Sequence, residues 1–348
     1  MKLLFFSDLH AHNWSQFHTR LENGLNSRLN DCVDILRQAV RVVQDNGVDH
    51  VLFLGDLFEC RTAIDVDVFF ETFRAMRELS SVVTVWLLKG NHDCHNKMGD
   101  VYSIEAFRDL PNVIVLDEPK DHIPGIPDVR IAAYPYMADV EQLKQHMANM
   151  PATDLVLLHQ SIREGTIGPY NTTIAAELSL KDLPLDRCRY VFAGDYHKRQ
   201  FFGPDGRVHY IGSPLQLKAD EVGEEKGFTL LDTNDWSIVT VPTVFPKFHL
   251  FATPAQAAAE IAMNNVDTER DFIRIKYTAE DQATAEEIKA SFTRVQIDEE
   301  TDSRSLARTS ASITDSDFQL CQEYADQKNE SLPEDTLMSV AMELLEGE

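Results

Sequence analysis

The sequence predicts an α/β protein whose core is built on two sheets. Short apolar runs rich in β-branched and aromatic residues alternate with amphipathic helical stretches early in the chain, and strands dominate from there to about residue 245. Small clusters of Asp, Asn and His follow five of the predicted strands directly, where loops at the carboxyl ends of parallel strands converge on one sheet edge. At 348 residues the chain is long enough for about two domains and a sizeable core.

Strands are predicted at 3–7, 50–54, 82–88, 113–116, 130–134, 154–158, 190–193, 208–211, 228–231 and 237–241, each bounded by Gly, Pro, Asp or Asn. Leu29, Val33, Leu36, Val40 and Val43 recur at helical spacing and stop at Gly47, while Phe69, Phe73, Met76 and Leu79 repeat the pattern before the third strand. Residues 251–300 read as a small α/β unit: helix 253–263, strand 272–277, helix 280–292, strand 294–297. Eight of the sixteen residues 301–316 are Ser or Thr, the composition of a linker. The tail carries two apolar stripes, Phe318, Cys321 and Tyr324, then Leu337, Val340, Ala341, Leu344 and Leu345, the second opened by a Ser331/Glu334 capping box.

Composition excludes several classes. Hydrophobic residues at 43% rule out wholesale disorder, and no run of ~18 apolar residues is present to span a membrane. The opening MKLLFF meets Asp8 and His10 too early for a signal-peptide core. Five cysteines, an odd number without CxxC spacing, argue for a reducing compartment such as a cytoplasm and against a disulfide framework or a cysteine zinc site. The net charge of −25 makes the isolated chain a poor non-specific DNA binder. Residues 1–250 carry −11 and residues 251–348 carry −14, so the C-terminal quarter is the more acidic per residue.

The five clusters are Asp8-Leu9-His10, Gly55-Asp56-Leu57-Phe58, Gly90-Asn91-His92-Asp93, His159, and Gly194-Asp195-Tyr196-His197. An Asp/Asn/His donor set without Cys suits manganese, iron or zinc in an open site, and a carboxylate shared by two cations suits phosphoryl displacement. In this order the clusters resemble the calcineurin-like metallophosphoesterases. Gly55-Asp56-Leu57-Phe58, Tyr134-Pro135-Tyr136, the segment YIGSPL at 210–215 and Glu225-Lys226-Gly227-Phe228 narrow the likeness to SbcD-type nuclease subunits.

The resemblance implies an α-β-β-α sandwich at 1–248 with a small α/β capping domain at 249–300, a linker at 301–314 and C-terminal helices at 315–348. It implies two divalent ions, Mn²⁺ foremost: Asp8, His10 and His197 on one, Asn91, His159 and Asp195 on the other, Asp56 bridging. His92 would face the scissile phosphate, and a metal-activated water would cleave DNA exonucleolytically and endonucleolytically in end processing, repair, recombination or replication. The implied partners are DNA ends, a second copy of the chain, and an SbcC-type coiled-coil ATPase gripped by the C-terminal helices, together a heterotetramer.

Two positions depart from the family pattern: Asp195 where histidine is usual, and Glu59 where SbcD-type proteins commonly have histidine. Asp195 is expected to remain a ligand, and Glu59 to orient His92 and favour its charged form. Arg61, Lys89, Lys97, Arg163, Lys198, Arg199, Arg207 and Lys218 lie near the motifs, and among them Arg61, Arg163, Lys198 and Arg199, with Ser213, are the candidate DNA contacts. The alternatives are a general metallophosphoesterase acting on nucleotides or phosphoproteins, and a non-catalytic DNA-end clamp.

Overall fold

Period-two alternation in the first strand sets the layering. In β1 (Lys2–Phe6), Leu3 and Phe5 face one side and Leu4 and Phe6 the other, and all four are fully buried. A strand covered on both faces reads as an unbroken apolar run, which is why this one shows no polar alternation. This chemistry is seen in a computed structural model that describes residues 1–96 and 99–299.

Leu4 and Phe6 pack under α1 (Ser27–Asn46), whose Leu29, Val33 and Leu36 share their cluster. The Asn26 side chain caps α1 by accepting from the Arg28 and Leu29 amides, and Gly47 ends it at φ 64°. The chain returns through β2 (His50–Phe53), α2 (Val66–Ser80), β3 (Thr84–Leu88) and β4 (Val113–Leu116), all strands parallel to β1.

The second sheet starts with β5 (Ile131–Tyr134), α3 (Val140–Asn149) and β6 (Leu155–His159). A hairpin of two-residue strands, β7 (Thr166–Ile167) and β8 (Thr172–Thr173), precedes β9 (Tyr190–Gly194), β10 (Gln200–Phe202) and β11 (Val208–Tyr210). Its order is β10-β11-β9-β6-β5, parallel except for β10. Next, β12 (Gly227–Asp232) and β13 (Ser237–Pro242) return to the first sheet, giving β13-β12-β1-β2-β3-β4. Leu3, Phe5, Leu52 and Leu54 meet Leu155, Leu157 and Phe192 between the sheets, while Val140, Leu143 and Met147 of α3 cover the outer face of the second. The layers are helix, sheet, sheet, helix.

Beyond them, β14 (Phe248–Phe251), α4 (Pro254–Ala262), β15 (Phe272–Tyr277), α5 (Gln282–Ser291) and β16 (Val295–Glu299) form a three-stranded parallel sheet with its own apolar cluster. The buried Arg28 guanidinium joins this unit to the sandwich. It lies 4.9, 5.6 and 5.0 Å from the Trp14, Phe248 and Phe272 rings and donates to the Leu217 carbonyl at 2.7 Å.

The ten predicted strands of the sandwich are present, with ends shifted by no more than two residues. The sequence reading did not predict α3, although Val140, Leu143 and Met147 carried its spacing, nor the short strands β7, β8, β10 and β14. Lys97 and the expected units at 301–314 and 315–348 lie outside the described residues. No described helix is long and apolar enough to cross a membrane.

Phe192 meets Phe5 edge-on across the layers, with centroids 4.9 Å apart at 84°. Phe192→Ala is expected to cost about 3–5 kcal/mol, read as a lower urea midpoint with an unchanged slope.

Candidate metal and phosphate site

Each cluster leaves the end of a strand in a conformation that turns its polar side chain into one pocket. Asp8, His10, Asp56 and Asp195 all have positive φ (55°, 48°, 60° and 94°), costly for residues with a Cβ and characteristic of sites whose surroundings over-determine the backbone. The loops after β1 and β2 are laced together: the Asp8 amide donates to Gly55 O at 2.9 Å, and those of Leu9 and His10 donate to Asp56 O at 2.9 and 3.1 Å. Two glycines are required by close approach. A Cβ on Gly55, at φ 96°, would lie 2.2 Å from His159 Nδ1, and one on Gly90 would lie 2.2 Å from Asp56 Oδ1.

Asp56 stands between two groups of donors. Its Oδ2 lies 3.6 Å from His10 Nε2, while its Oδ1 lies 3.4 Å from His159 Nε2. On the first side, His10 Nε2 is 4.0 Å from Asp8 Oδ1 and 3.1 Å from His197 Nε2. On the second, Asp195 Oδ1 is 4.0 Å from His159 Nε2, and the Asn91 amide atom facing the pocket is 3.0 Å from both His159 Nε2 and Asp56 Oδ2. Ligand atoms of Asp8, His10 and His197, and of Asp8, Asp56 and His159, fall within 4.8 Å of one another. All seven expected ligands therefore line one pocket.

The chemistry of this donor set fits divalent cations. His159 Nδ1 donates to the Leu54 carbonyl at 2.6 Å, so in the neutral ring its Nε2 presents a lone pair inward. As placed, Asn91 Oδ1 also faces inward, toward that nitrogen and the Asp56 carboxylate. Lone pairs directed at one another in a buried space call for positive charge between them, a proton on the imidazole or a cation in its place; otherwise the amide turns over, donates to both groups and leaves its oxygen to Arg61 at 3.0 Å. The imidazoles register the same negative field. Burial opposes a charge on His10, but its contact with Glu59 and the charges of Asp56 and Asp8 outweigh it and raise the pKa to about 9. Burial likewise opposes a charge on His159, yet Asp56, Asp8 and Asp195 raise it to about 10.

Behind the ligands, carboxylates orient the rings. Glu59 reaches a second ring besides the expected one: its Oε2 lies 2.6 Å from His10 Nδ1 and 3.7 Å from His92 Nδ1. The group that fixes His92 is the Glu59 backbone carbonyl, which accepts from Nδ1 at 2.8 Å. Glu59 is close enough to both rings to matter to each, but His10 is its nearer partner. Glu221, which the sequence reading passed over, accepts from His197 Nδ1 at 2.9 Å. Buried Lys226 in turn contacts Glu221 at 2.8 Å, Ser213 Oγ at 2.8 Å and the His197 carbonyl at 3.0 Å. Asp93 is buried and accepts the Asp56, Leu57 and Gly90 amides at 3.0, 3.0 and 2.8 Å, tying two ligand loops together. Their sequence signal is that Asp93 closes the Gly90-Asn91-His92-Asp93 cluster and Lys226 lies within Glu225-Lys226-Gly227-Phe228.

The candidate DNA contacts divide. Ser213 is buried and bonded to Lys226 and the Leu215 carbonyl, so it is corrected to a packing role. Arg199 is turned inward too: it donates to Thr229 Oγ1 and to Gly227 O at 2.5 and 2.8 Å, and burial lowers its pKa to about 10. Lys198 bonds Gly168 O and Asn171 Oδ1 at 3.1 and 2.6 Å. Arg163 is exposed while donating to Ala176 O, and Arg61 is exposed at the pocket rim. Of the other nearby cations, Lys89 is buried and Arg207 donates to the Leu185 carbonyl.

Removing either carboxylate behind the rings should weaken cation binding. Glu59→Gln and Glu221→Gln are each expected to lower Mn²⁺ affinity ~10–100-fold, measured by calorimetry. Because cation uptake displaces protons from His10 and His159, affinity should rise with pH up to about 9–10 and uptake should release protons. Proton-free binding in buffers of different ionisation heat would count against this pocket.

Comparison with known proteins fits this geometry. Residues 1–199 match the model of the family described as calcineurin-like phosphoesterase. The chain is 26% identical over 210 residues to exonuclease subunit 1 of Enterobacteria phage T4, covering 58% of each chain. It is 24% identical over 189 residues to a putative phosphoesterase, 078R, of Invertebrate iridescent virus 3, covering 52% of each. The chain thus spans little more than half the length of these curated relatives. Among solved structures, a dimetal phosphatase from Danio rerio aligns at TM-score 0.40 and 10% identity over 66% of this chain and 91% of that one. A Pseudomonas putida nuclease, MPE, aligns at TM-score 0.26 and 16% identity over 60% of this chain and 66% of that one. With a matched family model covering more than half its length, the chain belongs to the calcineurin-like phosphoesterases.

Proposed function

We propose that the chain is the nuclease subunit of an SbcD-type DNA-processing complex, hydrolysing phosphodiester bonds with two divalent cations, Mn²⁺ foremost. The observation that carries this reading is Asp56, whose two oxygens face separate donor groups, His10 on one side and His159 on the other. Asp8, His10 and His197 would hold one cation, and Asn91, His159 and Asp195 the other, with Asp56 shared. When bound, the cations supply Lewis-acid activation of a water and neutralise phosphate charge.

The protein's own groups do the rest. His92 is held at the pocket mouth from both ends: its amide donates to Asp56 Oδ1 at 2.8 Å and its Nδ1 donates to Glu59 O at 2.8 Å. With Nδ1 so committed, Nε2 is left for the substrate and, when protonated, donates to a phosphate oxygen or delivers its proton to the leaving oxygen. Arg61, exposed at the rim, adds a positive charge where a phosphate chain would enter.

The likeness to a phage protein named as an exonuclease subunit supports a nuclease over a phosphoprotein phosphatase. A decayed clamp is disfavoured because every expected ligand position carries a donor facing the pocket. His92→Ala should lower kcat for Mn²⁺-dependent cleavage of linear duplex DNA about 10²–10⁴-fold while Mn²⁺ affinity stays within threefold; Asp8→Ala should lose both. Cleavage of small aryl phosphodiesters alone would select the general phosphoesterase, and DNA binding without turnover the clamp.

The partner in this reading is an SbcC-type coiled-coil ATPase, with DNA ends as substrate and a second copy of the chain completing the assembly. The apolar stripes at 318–324 and 337–345 support it at the level of sequence, since short amphipathic helices gain stability by docking one face. Deleting 315–348 should abolish co-purification with the ATPase and leave metal-dependent hydrolysis in place; retained association would remove the tail from the interface.

A further inference from the structure

A cavity of about 230 Å³ opens beside the metal-site residues, lined in part by Asp195, His197 and Glu221. The same lining includes an apolar stretch, Ile167 and Gly168 of the β7–β8 hairpin and Ile174 just beyond it. Ile167 and Ile174 are 37% and 41% exposed, so this stretch of the lining presents apolar surface beside the carboxylates.

This apolar wall is held firmly in place. The Gln200 side-chain amide pairs with the Thr166 backbone as a neighbouring strand would, accepting from Thr166 N at 2.9 Å and donating to Thr166 O at 2.8 Å. Lys198 Nζ grips the tip through Gly168 O and Asn171 Oδ1. At the base, a Cβ on Gly165 would lie 2.7 Å from Tyr196 and 2.8 Å from Tyr210, so the chain enters the hairpin in close contact with that stacked pair. Two of the three residues that follow His197 thus use their polar side chains to brace an apolar surface next to it.

A phosphate needs only the polar part of this cavity. The apolar part needs a flat or bulky apolar group attached to that phosphate, and the volume is below the ~300 Å³ of pockets that enclose a whole drug-sized ligand. One unit of a polymer, with the chain leaving at both ends, satisfies both conditions. We propose that the Ile167–Ile174 wall is a nucleobase subsite, which packs against the base of the nucleotide whose phosphate is cleaved. The inference rests on the phosphodiesterase reading above and deepens it: the base must be unpaired to reach the wall, so the strand cleaved is single-stranded or frayed. Lys198, expected as a direct DNA contact, acts here as the brace of the subsite.

The test compares Mn²⁺-dependent cleavage of an oligothymidylate with that of a fully abasic oligodeoxyribose phosphate of equal length. The wild type should favour the base-bearing strand about tenfold in kcat/KM, chiefly through KM. The Ile167→Ser/Ile174→Ser double variant should bring that ratio close to one while retaining the wild-type Mn²⁺ affinity, which verifies its fold; if it does not fold, Ile174→Ser alone should reduce the ratio at least threefold. A wild-type ratio near one, or a variant that keeps the full ratio, overturns the subsite. A wild type that cleaves an aryl phosphodiester but neither oligomer refutes the nuclease reading itself, and the subsite with it.

Discussion

Three buried or nearly buried carboxylates, Asp8, Asp56 and Asp195, share one edge of the two-sheet sandwich, and this concentration of negative charge is the constraint from which the rest follows. Burying like charges together is expensive unless cations offset them. Three described lysines near the pocket are committed elsewhere: Lys226 to Glu221 and Glu224, Lys198 to the hairpin, Lys89 to the Gly99 carbonyl. The imidazoles of His10 and His159 respond with raised pKa values, a measure of how strongly the pocket favours positive charge. Backbone strain at Asp8, His10, Asp56 and Asp195 is the conformational cost of aiming these groups at one point.

The two-sheet sandwich makes that convergence possible. Parallel strands β1, β2 and β3 of one sheet and β6 and β9 of the other deliver their loops to a common edge, and the aromatic and aliphatic layer between the sheets fixes the distance between them. Bracing then proceeds outward. Asp93 ties the β2 and β3 loops, Glu59 and Glu221 hold the rings of His10 and His197, and Gln200 and Lys198 hold the hairpin beyond. Much of the polar surface near the pocket is therefore structural, in a chain of net charge −25.

What was legible in the sequence was whatever local pattern controls. Unbroken apolar runs located the doubly covered strands, helical spacing ending at Gly47 located α1, and the Asp, Asn and His residues after strand ends converge as their positions implied. What was not legible depended on tertiary pairing. Glu59 stands three residues after Asp56, and nothing local says that its nearest imidazole belongs to His10, 49 positions earlier. Ser213 and Arg199 read as polar groups near a motif, yet the return of β12 beside β1 encloses them among Lys226, Gly227 and Thr229. The short strands β7 and β8 carry too few residues for period two to register, although they shape the cavity.

The central claim is that one carboxylate, Asp56, is shared by two cations. The most direct measurement is an anomalous difference map at the manganese edge from crystals of the full chain soaked in Mn²⁺. The account predicts two peaks ~3.5–4 Å apart on either side of Asp56, one against Asp8, His10 and His197 and the other against Asn91, His159 and Asp195. A single peak away from Asp56, or none at saturating Mn²⁺, would contradict it.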